Sequence, residues 1–179
     1  MNTNYRKLIS KDLEIIRSIK TYFTPFERSL FDLLEKETFS EEEIKEILAN
    51  LDLGIALRLK DLKKKRAIAL KDAFNYLEQF RGSKIRFYYT VGLMDIEFLG
   101  RLIRHPFLDG IFFLPEEKDA VKFSICHYET AETLEKEGKD WKEVLNEIYL
   151  MIIERLEKAG FKIENIAFIS YEEWSKWIE

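Results

Sequence analysis

The chain has 179 residues and a mass of 21.4 kDa, and 46% of its residues are hydrophobic, which excludes an intrinsically disordered protein. No apolar run approaches the ~20 residues that a membrane helix needs, so we expect no membrane partner. The one cysteine, Cys126, cannot form an internal disulfide, and the first residues lack a secretory signal, so we expect a cytoplasmic protein. The net charge is only −4, and many Glu and Lys with a single glutamine, Gln79, are typical of thermophile proteins.

Residues 1–81 are predicted to form an all-helical region. Ser10 is a suitable cap for a first helix, and Thr24 with Pro25 is a suitable start for a second. Ser40 and Glu43 form a capping box for a third helix, and Asn50 tolerates the conformation that ends it.

A long amphipathic helix is predicted to close this region, from Asp52 to Phe80. Its apolar positions follow an unbroken 4-3-4-3 spacing that includes one cation, Arg66. Arg66 in this seam is unfavourable for a plain coiled coil, so we expect the helix to pack on another part of the protein.

Residues 82–179 alternate between strand and helix patterns. Alternation from Ile85 to Val91 predicts a strand, and Ile96, Leu99 and Ile103 predict a short helix over Asp95–Arg104. The runs Ile111–Leu114 and Val121–Ile125 predict a hairpin. A helix over Trp141–Ala159, a strand over Phe161–Tyr171 and a final helical turn complete the chain.

The resulting order over residues 82–179 is β-α-β-β-α-β, the order of ferredoxin-like domains. The predicted fold class is therefore α+β, with an all-helical N-terminal region at 1–81 and a ferredoxin-like domain at 82–179. A fold that is reused this widely does not indicate a chemistry.

A basic run stands out against the acidic balance of the chain. Together with helices of helix-turn-helix length, it predicts phosphate contacts in a DNA groove. A solvated helix face, or a patch that binds an acidic partner surface, explains the same charges. The residues are Arg58, Lys60, Lys63, Lys64, Lys65 and Arg66.

The open face of a ferredoxin-like sheet is a second candidate. Aromatic and basic side chains on such a face stack single-stranded bases in RNA-binding modules. We favour the alternative, in which the N-terminal helices or a second copy of the chain cover this face. The residues expected there are Arg86, Tyr88, Lys122 and Tyr128.

The segment from Cys126 to Glu129 is the one nucleophile-like cluster. Neighbours on a strand point to opposite faces, so Cys126 and His127 are poorly placed as a catalytic couple. His127 and Glu129 share a face, and His105 would complete a metal site if the fold brought it close.

No nucleotide-binding glycine motif is present, so we expect no cofactor. The favoured interpretation is a non-enzymatic interaction or regulatory module that acts as a homo-oligomer, a dimer, through the long helix and the tail tryptophans Trp174 and Trp177. The first alternative is a nucleic-acid-binding regulator that uses the basic run. The second is a metal- or cysteine-dependent enzyme around Cys126–Glu129.

Overall fold

A five-stranded mixed sheet is the central element of the chain after Arg58. The computed structural model describes residues 5–6 and 39–178. The chain forms two compact units that divide between Arg58 and Leu59, whereas the sequence predicts a division at residue 81.

The described part of the first unit contains two short strands and one helix. Strand β1 (Tyr5–Arg6) pairs antiparallel with β2 (Phe39–Ser40), two strands that an all-helical prediction does not include. Helix α1 (Glu41–Arg58) begins at the predicted cap, where the Ser40 hydroxyl accepts a hydrogen bond from the Glu43 amide at 3.2 Å. The helix continues past Asn50. The helices predicted from Ser10 and Thr24 lie outside the described residues.

The single long helix predicted over 52–80 is wrong, because four elements replace it after Arg58. A 3₁₀ helix (Leu59–Lys64), strand β3 (Ile68–Ala69), helix α2 (Leu70–Leu77) and a 3₁₀ turn (Glu78–Phe80) follow α1. Cations crowded at helical neighbour positions disfavour a helix. The sheet also offers residues 68 and 69 a strand partner in residues 123 and 124, so tertiary pairing overrides the helical spacing.

The sheet has the order β3-β6-β5-β4-β7. Its other strands are β4 (Lys84–Phe98), β5 (Arg101–Leu114), β6 (Asp119–Cys126) and β7 (Lys162–Phe168). Strands β4, β5 and β6 form an antiparallel meander, while β3 and β7 pair in parallel with β6 and β4 at its two edges.

Three helices follow the meander, and the predicted α+β class is confirmed. Helix α3 (Ala131–Lys136) is capped by Thr130, and α4 (Trp141–Lys158) corresponds to the predicted helix over 141–159. Helix α5 (Tyr171–Ile178) is the predicted terminal turn. No described helix has the length and apolar character that would let it cross a membrane.

The helix predicted over Asp95–Arg104 is wrong, and the ferredoxin-like order depends on it. These residues are the continuous ends of β4 and β5, joined by a two-residue turn at Leu99 and Gly100. Both turn residues have positive φ, as a type I′ hairpin turn requires. The described order from Lys84 is therefore three strands, two helices, a strand and a helix.

The main core lies between one face of the sheet and helices α2 and α4. Phe112 packs on Phe87 and Phe123, with ring centroids 5.2 and 4.7 Å apart. A methyl group on Gly110 would lie 2.3 Å from the Phe123 ring, so this strand position has room only for glycine. The helices contribute Leu70, Ala73, Phe74, Leu77, Leu145, Ile152 and Leu156.

Candidate functional site

The opposite face of the sheet carries a row of polar side chains across three strands. Thr90 on β4, Asp109 on β5 and Ser124 on β6 are direct cross-strand partners, and we call them the polar row. The Ser124 hydroxyl donates a hydrogen bond to Oδ1 of Asp109 at 2.5 Å. The Thr90 hydroxyl is buried and has no hydrogen-bond partner among the described residues. A buried hydroxyl without a hydrogen-bond partner is unfavourable, and such groups are rare in protein cores.

Lys122 lies beside the polar row, because it is two residues before Ser124 on β6 and shares its face. Only 8% of Lys122 is exposed. Burial lowers the pKa of Lys122, and the charge of Asp109 opposes that change. Burial likewise raises the pKa of Asp109, against the hydrogen bond from Ser124 and the charge of Lys122. Asp109 and Lys122 thus stabilise each other's charged forms in a poorly solvated place.

A cavity of about 280 Å³ opens on this face. Its walls come from the segment after the first 3₁₀ helix, from β5 and β6, and from α5. The lining residues are Lys65, Arg66, Ala67, Asp109, Gly110, Lys122, Phe123, Tyr171, Trp174 and Ser175. Three cations and one carboxylate therefore face the same space, next to two aromatic side chains of α5.

Three of the four residues considered for an open sheet face are buried, in agreement with the favoured expectation that this face is covered. Arg86, Tyr88 and Lys122 share one face of the sheet as predicted, but all three are buried. Arg86 forms an ion pair with Glu164 at 3.0 Å and lies over the Phe113 ring. Tyr128 is exposed, but it follows the end of β6 and does not belong to the face.

The chain after β7 covers part of this face. Tyr171 of α5 makes an edge contact with Phe107 of β5, with ring centroids 5.8 Å apart. Trp174 is buried, contrary to the expectation of an exposed tail tryptophan. The apolar side of α5 thus closes over β5 and leaves the cavity beside it.

The basic run is not one face of a helix. Arg58 is the last residue of α1, Lys60, Lys63 and Lys64 lie in the 3₁₀ helix, and Lys65 and Arg66 follow it. The helix predicted to enter a DNA groove is therefore absent from the described chain. Lys63, Lys64, Lys65 and Arg66 are exposed, and the last two also line the cavity.

The residues of the predicted metal site make hydrogen bonds of their own. His105 Nδ1 donates to the carbonyl of His127 at 3.2 Å, and His127 Nδ1 accepts from the Glu129 amide at 3.1 Å. Over residues 39–178, no group of three or more His, Cys, Asp or Glu is placed to hold a metal ion. Burial and the charge of Asp109 raise the pKa of Cys126, which lowers its thiolate fraction.

Strands β4 and β5 continue past their neighbours as a two-stranded arm, residues 91–106. Pairing with β7 stops at Tyr89, and the ladder with β6 begins at Phe107. The base of the arm is held by an ion pair between Arg104 and Glu132 of α3, at 2.8 Å. Beyond the base, β4 and β5 pair only with each other in the described chain.

The far part of the arm is amphipathic. The register places Met94, Ile96, Phe98 and Ile103 on one face, which we call the apolar arm face; Arg101 and His105 lie at its two ends, as the partners of Phe98 and Met94. Asp95 and its partner Arg104 lie on the other face. Phe98 is 61% exposed, and Leu99 at the turn is 87% exposed. Exposed apolar surface that is contiguous is uncommon on monomeric proteins.

Sequence reasoning misses both the polar row and the arm. A signal for the arm is present, because Met94, Ile96 and Phe98 alternate with Asp95 and Glu97. No local signal exists for the polar row, since Asp109 and Ser124 meet only through the register of β5 and β6.

Comparisons of the chain with protein families, with curated proteins and with solved structures find no match.

Proposed function

We propose that the protein is a non-enzymatic interaction or regulatory module that acts as a homodimer, and that the arm is its contact element. The exposed apolar arm face is the observation that carries this proposal. An isolated two-stranded hairpin is at best marginally stable in water, and burial of its apolar face against a partner stabilises it. The unpaired cysteine, Cys126, supports the cytoplasm as the proposed location.

A second copy of the chain is the partner that this surface suits best. In a two-fold symmetric contact the same face meets itself, so the apolar residues of one arm would pack on those of the other. Asp95 and Arg104, on the opposite face, would keep their contact with water, and Arg104 would keep its ion pair with Glu132. The charged residue of the apolar arm face, Arg101, lies at the end beside the turn and can remain at the rim of the contact.

Sedimentation equilibrium of the wild type and of two variants tests the proposal. Ile96→Thr with Phe98→Thr removes apolar surface from the arm but keeps residues that favour strands. We expect the wild type to dimerise at micromolar concentration and this double variant to be monomeric. Tyr128→Ser removes an exposed aromatic ring elsewhere and is expected to leave the dimer intact. A monomeric wild type, or a double variant that dimerises as well as the wild type, contradicts the proposal.

Nucleic-acid binding is a second candidate function, and the four consecutive exposed cations from Lys63 to Arg66 favour it. Electrophoretic retardation of duplex and single-stranded probes over a range of salt concentrations tests it. Replacing Lys63 and Lys64 by Ala is expected to lower the log–log salt slope by ~0.9 for each duplex phosphate that the protein no longer neutralises. Lys71→Ala on the exposed side of α2 is the control. Absence of retardation at low salt would exclude this function.

A further inference from the structure

The strongest unexplained feature of the molecule is a buried cation at the wall of the cavity. Lys122 is 8% exposed and lines the cavity, yet in the described chain it forms no ion pair within 4.0 Å. The nearest compensating charge is that of Asp109, which acts at longer range. Nζ of Lys122 is not among the fully buried polar atoms that lack a partner, so the ammonium group reaches the cavity, where an anion would provide the close partner that it lacks.

The charges of the cavity wall also favour an anion. Lys65 and Arg66 line the same space as Lys122, and among the described residues neither forms an ion pair. Asp109 is the one acid in the lining, and one of its oxygens already accepts a hydrogen bond from Ser124. The planar guanidinium of arginine and the ammonium groups of lysine are the side chains that proteins use for phosphate.

The remaining walls and the volume limit the size and character of the ligand. Tyr171 and Trp174 give the cavity an aromatic side, and Ser175 adds a hydroxyl. A volume of about 280 Å³ lies just below the range of about 300–1,000 Å³ that is usual for ligand pockets, so only a small ligand fits. The cavity suits a small molecule with a charged end and a ring.

We infer that this cavity binds a small phosphate monoester of nucleoside monophosphate size. Lys122, Lys65 and Arg66 hold the phosphate oxygens, and the ring of the ligand lies against the aromatic wall. The free oxygen of Asp109 accepts a hydrogen bond from a ligand hydroxyl. This inference is independent of dimerisation through the arm, because none of these residues belongs to the arm.

Isothermal titration calorimetry with adenosine 5′-monophosphate, adenosine and inorganic phosphate tests the inference. We expect one molecule of the monophosphate to bind per chain, and both fragments to bind at least about tenfold more weakly. Lys122→Met removes the buried charge at similar size and is expected to weaken binding at least about tenfold. Lys71→Met, a lysine change on the exposed side of α2, is expected to bind like the wild type.

Two further measurements keep the inference falsifiable. Arg66→Gln changes an exposed side chain, so we expect this variant to fold like the wild type. The variant is also expected to bind the monophosphate more weakly. A single-stranded oligonucleotide without a terminal phosphate is expected not to displace the monophosphate. No binding of the monophosphate, equal binding by the Lys122 and Arg66 variants, or displacement by the oligonucleotide would each overturn the inference. Sedimentation measures the mass of the assembly and not ligand binding, so the proposed dimer is tested separately from this inference.

Discussion

Tyr76 shows how one hydrogen bond links helix α2 to the sheet. Its hydroxyl donates to Oδ2 of Asp119, the first residue of β6. Burial, followed by the hydrogen bond and the charge of Asp119, raises the pKa of Tyr76 to about 12. The neutral phenol is therefore the form that the folded protein favours.

Replacing Tyr76 by Phe is expected to lower the free energy of unfolding by about 1–2 kcal/mol at neutral pH, because a buried carboxylate loses a donor. A raised pKa means that the folded state retains a proton that the unfolded state releases between pH 10 and about 12. The advantage of the wild type is therefore lost as pH rises through that window. Urea unfolding of the wild type and of Tyr76→Phe at several alkaline pH values measures this difference in the free energy of unfolding. A wild-type advantage that stays constant to the end of the window would contradict this account.

Among the site residues, sequence reasoning identifies some residue types but not their surroundings. Lys65, Arg66 and Lys122 stand out in the sequence as cations, and the structure brings these three to one cavity. In the local sequence, Asp109 looks like a turn residue before Ile111. Its hydrogen-bond partner, Ser124, lies 15 residues further along the chain, so no local pattern indicates their contact. Long-range register of this kind leaves no trace in a local pattern.

Elements with a single strong period are predicted well. Helix α4 has apolar residues at helical spacing over its full length, and β6 alternates without interruption. The segment 95–104 satisfies both periods over a short distance, and only pairing with its neighbour decides between them. The segment 59–69 similarly follows a helical spacing that the basic run and the edge of the sheet override.

The backbone is strained at Leu99, in the turn of the arm, and this strain supports a role for the Leu99 side chain in the proposed contact. Leu99 has a φ of 49°, a conformation that costs roughly 1–2 kcal/mol for an ordinary side chain and much less for Asn. An exposed leucine at this position is unfavourable for the monomer, so an interaction made by the side chain is the natural reason for it.

Leu99→Asn is expected to raise the stability of the dilute monomer by about 1 kcal/mol, because Asn suits the left-handed conformation. The same change is expected to weaken dimerisation, because the polar amide replaces an apolar side chain that packs on the partner. Chemical denaturation at low concentration and sedimentation at high concentration measure the two effects. Leu99→Ala, which removes the apolar side chain without improving the turn, is the control. A variant that dimerises like the wild type would show that Leu99 does not touch the partner.

The two faces of the sheet in the second unit have different roles. One face packs on α2 and α4 to form the core, and the other carries the polar row and the cavity. The apolar arm face continues this second face of β4 and β5. Stability and the proposed interactions therefore rest on opposite sides of the same strands.

The overall class of the fold could be predicted from the sequence, but its connectivity could not. The two wrong helices, predicted over 52–80 and 95–104, each conceal strand residues, and the predicted ferredoxin-like order follows from the second. Both errors arise where sheet pairing competes with an equally good local helix.

Hydrogen–deuterium exchange of the arm amides at two protein concentrations tests dimerisation through the arm most directly. Amides in an interface exchange more slowly when the interface is populated, so their protection depends on concentration. We predict that residues 94–103 exchange more slowly in the concentrated sample than in the dilute one, while the strands of the core exchange alike in both. Identical exchange of the arm at both concentrations, or protection confined to another exposed apolar surface such as Leu150 and Met151 on α4, would contradict the account.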